Sequence, residues 1–196
     1  MKLINLCCGG IRSDPPWINV EYDGVTHGNY VQLDITSDNW PWENESIDGI
    51  LCSHVFEHFT VPALQKILRE CYRILKVGGV LRIAVPNATY FRSVYDIDNK
   101  ESVGELFGEV ERINGPQRSF MGFALFYDEH LQLFTEDTLW CTLVNNESPV
   151  GSVSFLPENV KRTDYKKTSR LGHYCSGELA ALDNRPKFSL FMEAFK

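Results

Sequence analysis

Short apolar runs alternate with turn-forming residues along the first half of the chain. Five such runs, each bounded by Gly, Pro, Asp or Asn, predict five β-strands. Short apolar runs of this kind are typical of strands in a parallel sheet. The runs are KLINLC (2–7), INVEY (18–22), YVQLD (30–34), IDGILC (47–52) and VLRIAV (80–85).

The segment between the last two runs has a different period. Its apolar residues recur at helical spacing and form one stripe: Leu64, Ile67, Leu68, Cys71, Ile74 and Leu75. Pro62 suits the first turn of this helix, and Gly78 or Gly79 is expected to end it. Strand, helix and strand in this order predict a right-handed βαβ crossover.

The second half of the chain predicts fewer elements. A helix is expected after Asn87, in ATYFRSVYDI, and another over Thr135–Val144 with Thr135 as its N-cap. Val150–Leu156 and Phe188–Phe195 alternate as a closing strand pair would. The fold class predicted is therefore α/β, a Rossmann-like, doubly wound and mostly parallel sheet of about seven strands.

The chain is expected to form a single domain over residues 1–196. Two long polar intervals interrupt it. Residues 97–129 are a candidate lid over an acceptor, and residues 157–187 are a polar insertion.

The connection between the first two strands is unusually short. Only Gly9 to Trp17 separate them, and Pro15 and Pro16 lie within that stretch. Because a crossover between parallel strands usually needs about a dozen residues, we expect the first helix to be shortened or absent. Part of one sheet face then needs another cover, which is either the 157–187 segment or the second subunit of a homodimer.

Charge and composition exclude several classes of partner. The net charge of −7 disfavours nucleic acid, and no apolar stretch is long enough to span a membrane. The N-terminus lacks the pattern of a secretion signal, so we expect a cytoplasmic protein. The six cysteines show no CxxC pair and no Cys/His ligand spacing, so no metal site is predicted. A small-molecule substrate, or a protein one, fits these observations better than a nucleic acid.

Polar and glycine residues follow the strands at the edge where open α/β sheets bind ligands. Cys8, Gly9 and Gly10 follow the first strand, and Glu21 ends the second. A carboxylate at that position can accept hydrogen bonds from both hydroxyls of a ribose. NAD would also need a helix N-terminus for its pyrophosphate, which the short connection does not provide. S-adenosylmethionine has the ribose without the phosphates.

The sequence resembles the class I S-adenosylmethionine-dependent methyltransferases, of the small-molecule and methyltransferase type 11-like group. The resemblance covers roughly residues 2–90 and extends more weakly to HLQLFTEDTL and SLFMEAFK. Two positions depart from the family's acidic-x-G-x-G-x-G loop, with Asn5 in place of the acid and Cys7 in place of the first glycine. The motifs are INLCCGG, INVEYD, LDIT, IDGILCSHVFEHF and RECYRILKVGGVLRIAVPN.

The resemblance implies a cofactor site for S-adenosylmethionine, with S-adenosylhomocysteine as its product. Gly9 would approach the methionine part, Glu21 would bind the ribose, and Asp34 would accept from the adenine amino group. Ser53 and His54 would line the floor between cofactor and acceptor. The full set implied is Asn5, Cys7, Cys8, Gly9, Gly10, Glu21, Tyr22, Asp34, Ile35, Ser53 and His54, with Trp17 as a further neighbour.

The reaction implied is an in-line methyl transfer to a small-molecule or sugar-like acceptor. The candidates for a catalytic base are His54, His58 and His130, and His54 comes first because it directly follows the fourth strand. Two other functions stay open on the sequence alone. The chain could bind the cofactor or an assembly partner without catalysis, or it could be a nicotinamide-dependent oxidoreductase.

Overall fold

The chain folds around one seven-stranded sheet within the residues that the structure, a computed structural model, describes. Those residues are 1–9, 13–24, 26–94, 130–144, 155–164, 167, 171 and 189–196. The strand order is β3-β2-β1-β4-β5-β7-β6. The strands are β1 (Leu3–Leu6), β2 (Trp17–Glu21), β3 (Tyr30–Gln32), β4 (Ile47–Ser53), β5 (Leu75–Pro86), β6 (Val160–Thr163) and β7 (Ser189–Phe195).

The first five strands run parallel, and β7 runs antiparallel to both of its neighbours, β5 and β6. This is the predicted α/β class with a mostly parallel sheet. The connection from β1 to β2 contains no helix among its described residues, 7–9 and 13–16. The candidate lid, 97–129, lies outside the described residues.

The predicted amphipathic helix is confirmed as α1, Val61–Ile74, which connects β4 to β5. Pro62 lies in its first turn, and its stripe of Leu64, Ile67, Leu68, Cys71 and Ile74 is buried. The stripe packs on one face of the sheet, against residues such as Ile50, Leu81 and Ile83. None of the described helices has the length and apolar character needed to cross a membrane.

The two helices predicted later in the chain are also present. α2 spans Ala88–Val94 and α3 spans Glu136–Val144. Asn87 and Thr135 act as their N-caps: the Tyr90 N–H donates to Asn87 Oδ1 at 3.2 Å, and the Thr138 N–H donates to Thr135 Oγ1 at 3.2 Å.

The expected end of α1 at Gly78 or Gly79 is wrong. The helix ends at Ile74, and Leu75 is already extended because its buried side chain is paired with Ile47 of β4. Burial in the sheet therefore overrides the glycine signal. Gly78 instead supplies a left-handed turn within β5, with φ of 75°, and its N–H donates to the carbonyl of Lys196 at 2.6 Å.

The strand expected at Val150–Leu156 lies only in part within the described residues, and that part is not a strand. The strand that pairs with β7 is β6, inside the interval predicted as a polar insertion. Phe155 and Leu156 are described and are not in a strand, whereas 150–154 lie outside the described residues. Phe155 is buried and packs edge-on against Tyr72 of α1, with the ring centroids 5.3 Å apart. Its apolar side chain therefore packs against a helix and does not belong to a strand of the sheet.

The face of the sheet opposite α1 is covered in part by the 157–187 segment. Leu171 is buried against Leu3, Trp17, Leu51 and Val80, on the strands that a first helix would otherwise cover. A Cβ on Gly49 would come within 2.7 Å of Leu171, so the absence of a side chain there makes room for it. The structure thus supplies a cover from within the chain.

A buried arginine anchors the same segment to the sheet. Arg82 of β5 is fully buried, lies 3.5 Å from the Glu193 carboxylate of β7, and donates to the carbonyls of Asp164 and Lys167 at 3.1 Å each. These bonds fix the chain after β6 over the sheet and bring Leu171 to its position.

Candidate active site

The carboxyl ends of the parallel strands meet along one edge of the sheet. β1 pairs with β2 on one side and β4 on the other, so the chain connections leave in opposite directions at this point. Such a reversal creates a crevice where α/β proteins bind ligands. Leu6 is in register with both Val20 and Cys52, so the residues that follow them, Cys7, Glu21 and Ser53, lie side by side.

Gly9 and Glu21 meet at this crevice. The Gly9 N–H donates to Glu21 Oε2 at 2.7 Å, and the Tyr22 N–H donates to Glu21 Oε1 at 2.9 Å. The carboxylate is thereby held in one orientation beside the loop after β1. It is partly exposed, so its oxygens can still accept hydrogen bonds from a ligand.

Left-handed backbone conformations follow both strands that line the crevice. Cys7 and Gly9, after β1, have φ of 51° and 55°, and His54, after β4, has φ of 54°. Such values are uncommon for residues other than glycine and concentrate at functional sites. A Cβ on Gly9 would meet no atom of the described residues within 4 Å, so these residues leave space open above the loop.

The two cysteines of the loop pack within the protein. Cys8 is buried, and its N–H donates to the carbonyl of Val20 at 3.0 Å. Burial, together with the smaller effect of the nearby Glu21 charge, raises the pKa of the Cys7 thiol to about 12, so Cys7 is not a thiolate nucleophile. Gly10, the remaining loop residue predicted at the site, lies outside the described residues.

Asn5 occupies a structural position. It is fully buried, and its Nδ2 donates to Asn19 Oδ1 at 3.3 Å. Asn19 in turn bonds the main chain of Ser13 in both directions, at 3.0 and 2.8 Å. The pair therefore fastens the short β1–β2 connection to the sheet, and a direct contact of Asn5 with a cofactor stays a prediction.

Asp34 follows β3 at the same edge. Its Oδ1 accepts from both the N–H and the hydroxyl of Thr36, at 2.9 and 2.7 Å, which fixes the carboxylate in a local turn. The neighbouring Ile35 has a buried side chain in the core, and its carbonyl accepts from Trp40 Nε1 at 3.2 Å. Only the main chain of Ile35 is then available to a ligand.

The two aromatic neighbours named from the sequence lie in different places. Tyr22 is exposed directly after Glu21, so its ring is accessible beside the crevice. Trp17 begins β2 at the opposite end of the strand and is buried against Leu171. The expectation that Trp17 borders the cofactor is not supported, because Trp17 and Glu21 lie at opposite ends of one strand.

His54 is held by partners on both ring nitrogens. Nδ1 lies 3.2 Å from Glu57 Oε1, and Nε2 lies 2.9 Å from Ser189 Oγ. Glu57 is fully buried and Ser189 nearly so. In the neutral ring, Nδ1–H donates to the carboxylate, and Nε2 accepts from the serine hydroxyl. A carboxylate that orients an imidazole in this way is an arrangement suited to a general base.

Ser189 is a part of this site that the sequence did not reveal. It is the first residue of β7 and pairs with Pro86, which brings it beside His54 only through the antiparallel insertion of β7. No local signal marks such a contact. Glu57, by contrast, lies three residues after His54 in a 3₁₀ turn, Phe56–His58, and that spacing is visible in the sequence.

His130 lies next to His58, with ring centroids 5.0 Å apart. The N–H groups of Leu131 and Gln132 donate to the carbonyl of Glu57, at 2.7 and 3.1 Å, and hold the two segments together. The structure therefore groups His130 with the turn after β4, near His54, although the two segments are distant in the sequence.

Comparisons with known proteins agree with this geometry. The family model described as "Methyltransferase domain" matches residues 15–83, which include β2 to β4, α1 and most of β5. Among curated protein sequences, none matches this chain.

Solved structures share the whole architecture. A SAM-dependent methyltransferase from Archaeoglobus fulgidus is 16% identical, with a TM-score of 0.56, over 100% of this chain and 86% of that one. The chain has the class I methyltransferase fold. The resemblance to class I S-adenosylmethionine-dependent methyltransferases inferred from the sequence is thus confirmed at the level of the fold.

Two further structures share the methyltransferase fold. One is the 1,6-didemethyltoxoflavin-N1-methyltransferase of Burkholderia thailandensis, with its substrate and S-adenosylhomocysteine bound; it is 14% identical, with a TM-score of 0.51, over 99% of this chain and 70% of that one. The other is a methyltransferase from Methanosarcina mazei, 12% identical with a TM-score of 0.50, over 100% and 92%. At these identities, the acceptor of this methyltransferase fold must be inferred from its own residues.

Proposed function

We propose that this protein binds S-adenosylmethionine in the crevice between β1 and β4 and transfers its methyl group to a small-molecule acceptor. The observation that supports this most strongly is the Glu21 carboxylate, oriented by the N–H groups of Gly9 and Tyr22 at the carboxyl end of β2. A carboxylate at that position suits the ribose diol. The open space above Gly9 suits the close approach of the methionine part.

The remaining cofactor contacts follow the strand order. Asp34, at the end of β3, would accept from the adenine amino group through its carboxylate, which Thr36 holds in place. Ser53 and His54, at the end of β4, would form the floor between cofactor and acceptor. Cys7 and Cys8 would contribute main chain and shape, since Cys7 keeps its proton.

Methyl transfer needs alignment above all. The acceptor's lone pair attacks the methyl carbon while the carbon–sulfur bond breaks, so the sulfur leaves neutral as S-adenosylhomocysteine. Orientation alone can lower the barrier by about 7–11 kcal/mol. An acceptor that carries a proton also needs a base. His54 is our candidate, because the Glu57 carboxylate holds its ring at Nδ1 and leaves Nε2, which contacts the Ser189 hydroxyl, to take up the proton. For Nε2 to take up the acceptor's proton, the Ser189 hydroxyl must either turn away or relay that proton.

The class of acceptor that we propose is based on the net charge of the chain and on one solved structure of the same fold. A net charge of −7 disfavours a nucleic-acid acceptor. The Burkholderia thailandensis protein of the same fold has 1,6-didemethyltoxoflavin bound. We therefore propose a small-molecule acceptor and a cytoplasmic location. A homodimer stays a prediction, and Leu171 already covers the face for which a second subunit was considered.

A ligand screen followed by a turnover assay tests the proposal. S-adenosylmethionine and S-adenosylhomocysteine should each raise the Tm, whereas NAD should not. A panel of phenols, carboxylic acids, amines and sugars should then contain an acceptor that releases S-adenosylhomocysteine. Cofactor binding without turnover on any acceptor would favour the non-catalytic alternative, and a shift with NAD alone would favour an oxidoreductase.

A further inference from the structure

Three side chains beside His54 come close enough to share one ion. The carboxylate of Glu57 and the ring nitrogens of His58 and His130 offer ligand atoms that all lie within 4.8 Å of one another. Ligands at about 2.0–2.2 Å from a tetrahedral ion are roughly 3.4 Å apart. Because His58 and His130 are only partly buried, small rotations of their side chains can close the difference.

The Glu57 carboxylate gives a second, independent indication. Glu57 is fully buried, and its Oε1 is 3.2 Å from His54 Nδ1. Its Oε2 is also buried and has no hydrogen-bond partner among the residues that the structure describes. An unsatisfied buried carboxylate oxygen is costly. A cation bound at Oε2 would remove that cost.

The main chain holds the three ligands together independently of any ion. The 3₁₀ turn fixes Glu57 and His58, and the His58 N–H donates to the carbonyl of Val55 at 3.1 Å. On the other side, the Glu57 carbonyl accepts the N–H groups of Leu131 and Gln132, directly after His130. The Gln132 side chain also bonds the carbonyl of Phe59. The cluster is therefore preorganised, as ion sites require.

We propose that Glu57, His58 and His130 bind a divalent first-row transition-metal ion. Two imidazoles and one carboxylate suit Zn²⁺, Mn²⁺, Fe²⁺ or Co²⁺, whereas Mg²⁺ and Ca²⁺ prefer oxygen ligands throughout. Besides its proposed role as a base, His54 would orient the ligand Glu57, because its Nδ1–H donates to that carboxylate as neighbouring hydrogen bonds do at other metal sites. No metal-ligand spacing is visible in the sequence, because His130 lies far from Glu57 along the chain.

The ion would have open coordination positions. Three protein ligands leave at least one position for water or a substrate oxygen, as in catalytic metal sites. His58 and His130 are accessible, and the cluster adjoins the Ser53–His54 end of β4. This last step rests on the proposed function: the ion would hold an oxygen-bearing acceptor, such as a hydroxyl or carboxylate compound, on the acceptor side of the cofactor.

Metal binding by the purified full chain tests the site without any cofactor or acceptor. After chelator treatment and dialysis, Mn²⁺ and Zn²⁺ are titrated calorimetrically into the wild type, H58A, H130A and H27A. His27 is exposed, in the β2–β3 connection, and serves as the matched control. We expect one ion per chain, at least tenfold weaker binding in H58A and H130A, and no change in H27A.

Three outcomes would overturn the site: no binding of either ion at 1:1 stoichiometry, binding that H58A and H130A leave unchanged, or Mg²⁺ binding as tightly as Mn²⁺. The absorption spectrum of the Co²⁺-loaded protein shows whether the ion binds at this cluster or at the cysteines. A near-ultraviolet thiolate-to-cobalt band would assign the ion to cysteine sulfur. Where a buried-site variant such as E57Q fails to fold, the H130A variant decides the question, since His130 is only partly buried.

Failure of S-adenosylmethionine binding would leave these metal-binding results unaffected, so the two proposals fail separately.

Discussion

The backbone N–H of Gly9 lies 2.7 Å from Oε2 of Glu21 and donates a hydrogen bond to it. This contact joins the loop after β1 to the end of β2, and the described residues between them contain no helix. A phosphate-binding fold would use the first helix at this place. Here the loop itself orients a carboxylate, which suits a ligand that has a ribose and lacks a pyrophosphate.

Replacement of Gly9 by alanine should lower the affinity for the cofactor more than it lowers the stability of the fold. The backbone at φ of 55° costs a side chain about 1–2 kcal/mol, while the added Cβ meets no atom of the described residues within 4 Å. It would instead occupy space proposed for the cofactor. We expect at least tenfold weaker S-adenosylmethionine binding by calorimetry.

Gly28→Ala is the matched control for that variant. Gly28 has φ of 59°, and its Cβ would likewise meet nothing within 4 Å, but it lies in the β2–β3 connection. Both variants should lower the Tm by similar amounts. Equal losses of cofactor affinity in G9A and G28A would show that strain, and not proximity, causes the effect.

Loss of the His54 imidazole should lower turnover. With an acceptor from the panel that must lose a proton, His54→Asn is expected to reduce kcat by about 10²–10⁴-fold, the usual contribution of a general base. His27→Asn should leave kcat unchanged. A His54→Asn enzyme that binds cofactor normally and keeps its full kcat would remove His54 from the catalytic role.

Regular elements and strand ends could be predicted from the sequence. The apolar stripe of α1 and the apolar runs of β1 to β4 are visible in the local pattern of residues, and that pattern indicates the type of element. The positions of Glu21 and Asp34 at the sheet edge could also be predicted, because both residues lie where a strand ends. The Gly9–Glu21 contact is a consequence of two neighbouring parallel strands.

What the sequence could not indicate depends on contacts between distant segments. Ser189 reaches His54 only because β7 lies beside β5, and His130 reaches His58 only through hydrogen bonds to Glu57. The end of α1 was mispredicted because Leu75 joins the sheet in spite of the glycines that follow. Tertiary packing decided each of these cases.

Leu171→Ala should destabilise the fold. Leu171 is 2% exposed and fills the sheet face left by the short β1–β2 connection, so its truncation leaves a cavity. We expect a loss of about 2–5 kcal/mol in the free energy of unfolding, measured with urea. Leu156→Ala, at a residue that is 57% exposed, should change it by less than about 0.5 kcal/mol. Similar small losses in both variants would contradict the covering role.

The ion pair of Glu70 and Arg73 should make stability depend on pH. Burial alone would raise the pKa of the Glu70 carboxyl, but hydrogen bonds from Arg73 and the Trp40 N–H hold it below its ordinary value. A carboxyl whose pKa is lowered on folding stabilises the protein at neutral pH and loses that contribution as the pH falls through its folded pKa.

Glu70→Gln should therefore lower the free energy of unfolding at pH 7 by about 1–3 kcal/mol. The difference from the wild type should shrink below about pH 4.3, where the unfolded carboxyl takes up its proton. Asp38→Asn, in an exposed pair with Lys66, should have little effect at either pH. A difference for Glu70→Gln that stays constant with pH would contradict the assignment.

Calorimetric titration of S-adenosylmethionine into the wild type, Glu21→Ala and Glu43→Ala tests the central claim most directly. Glu43 is an exposed carboxylate in the β3–β4 connection. We expect saturable binding by the wild type and by Glu43→Ala. Glu21→Ala should lose charge-assisted hydrogen bonds worth about 1.5–3 kcal/mol, or very roughly tenfold to a hundredfold in affinity. Equal affinity in all three proteins, or no binding by the wild type, would contradict a cofactor site built on Glu21.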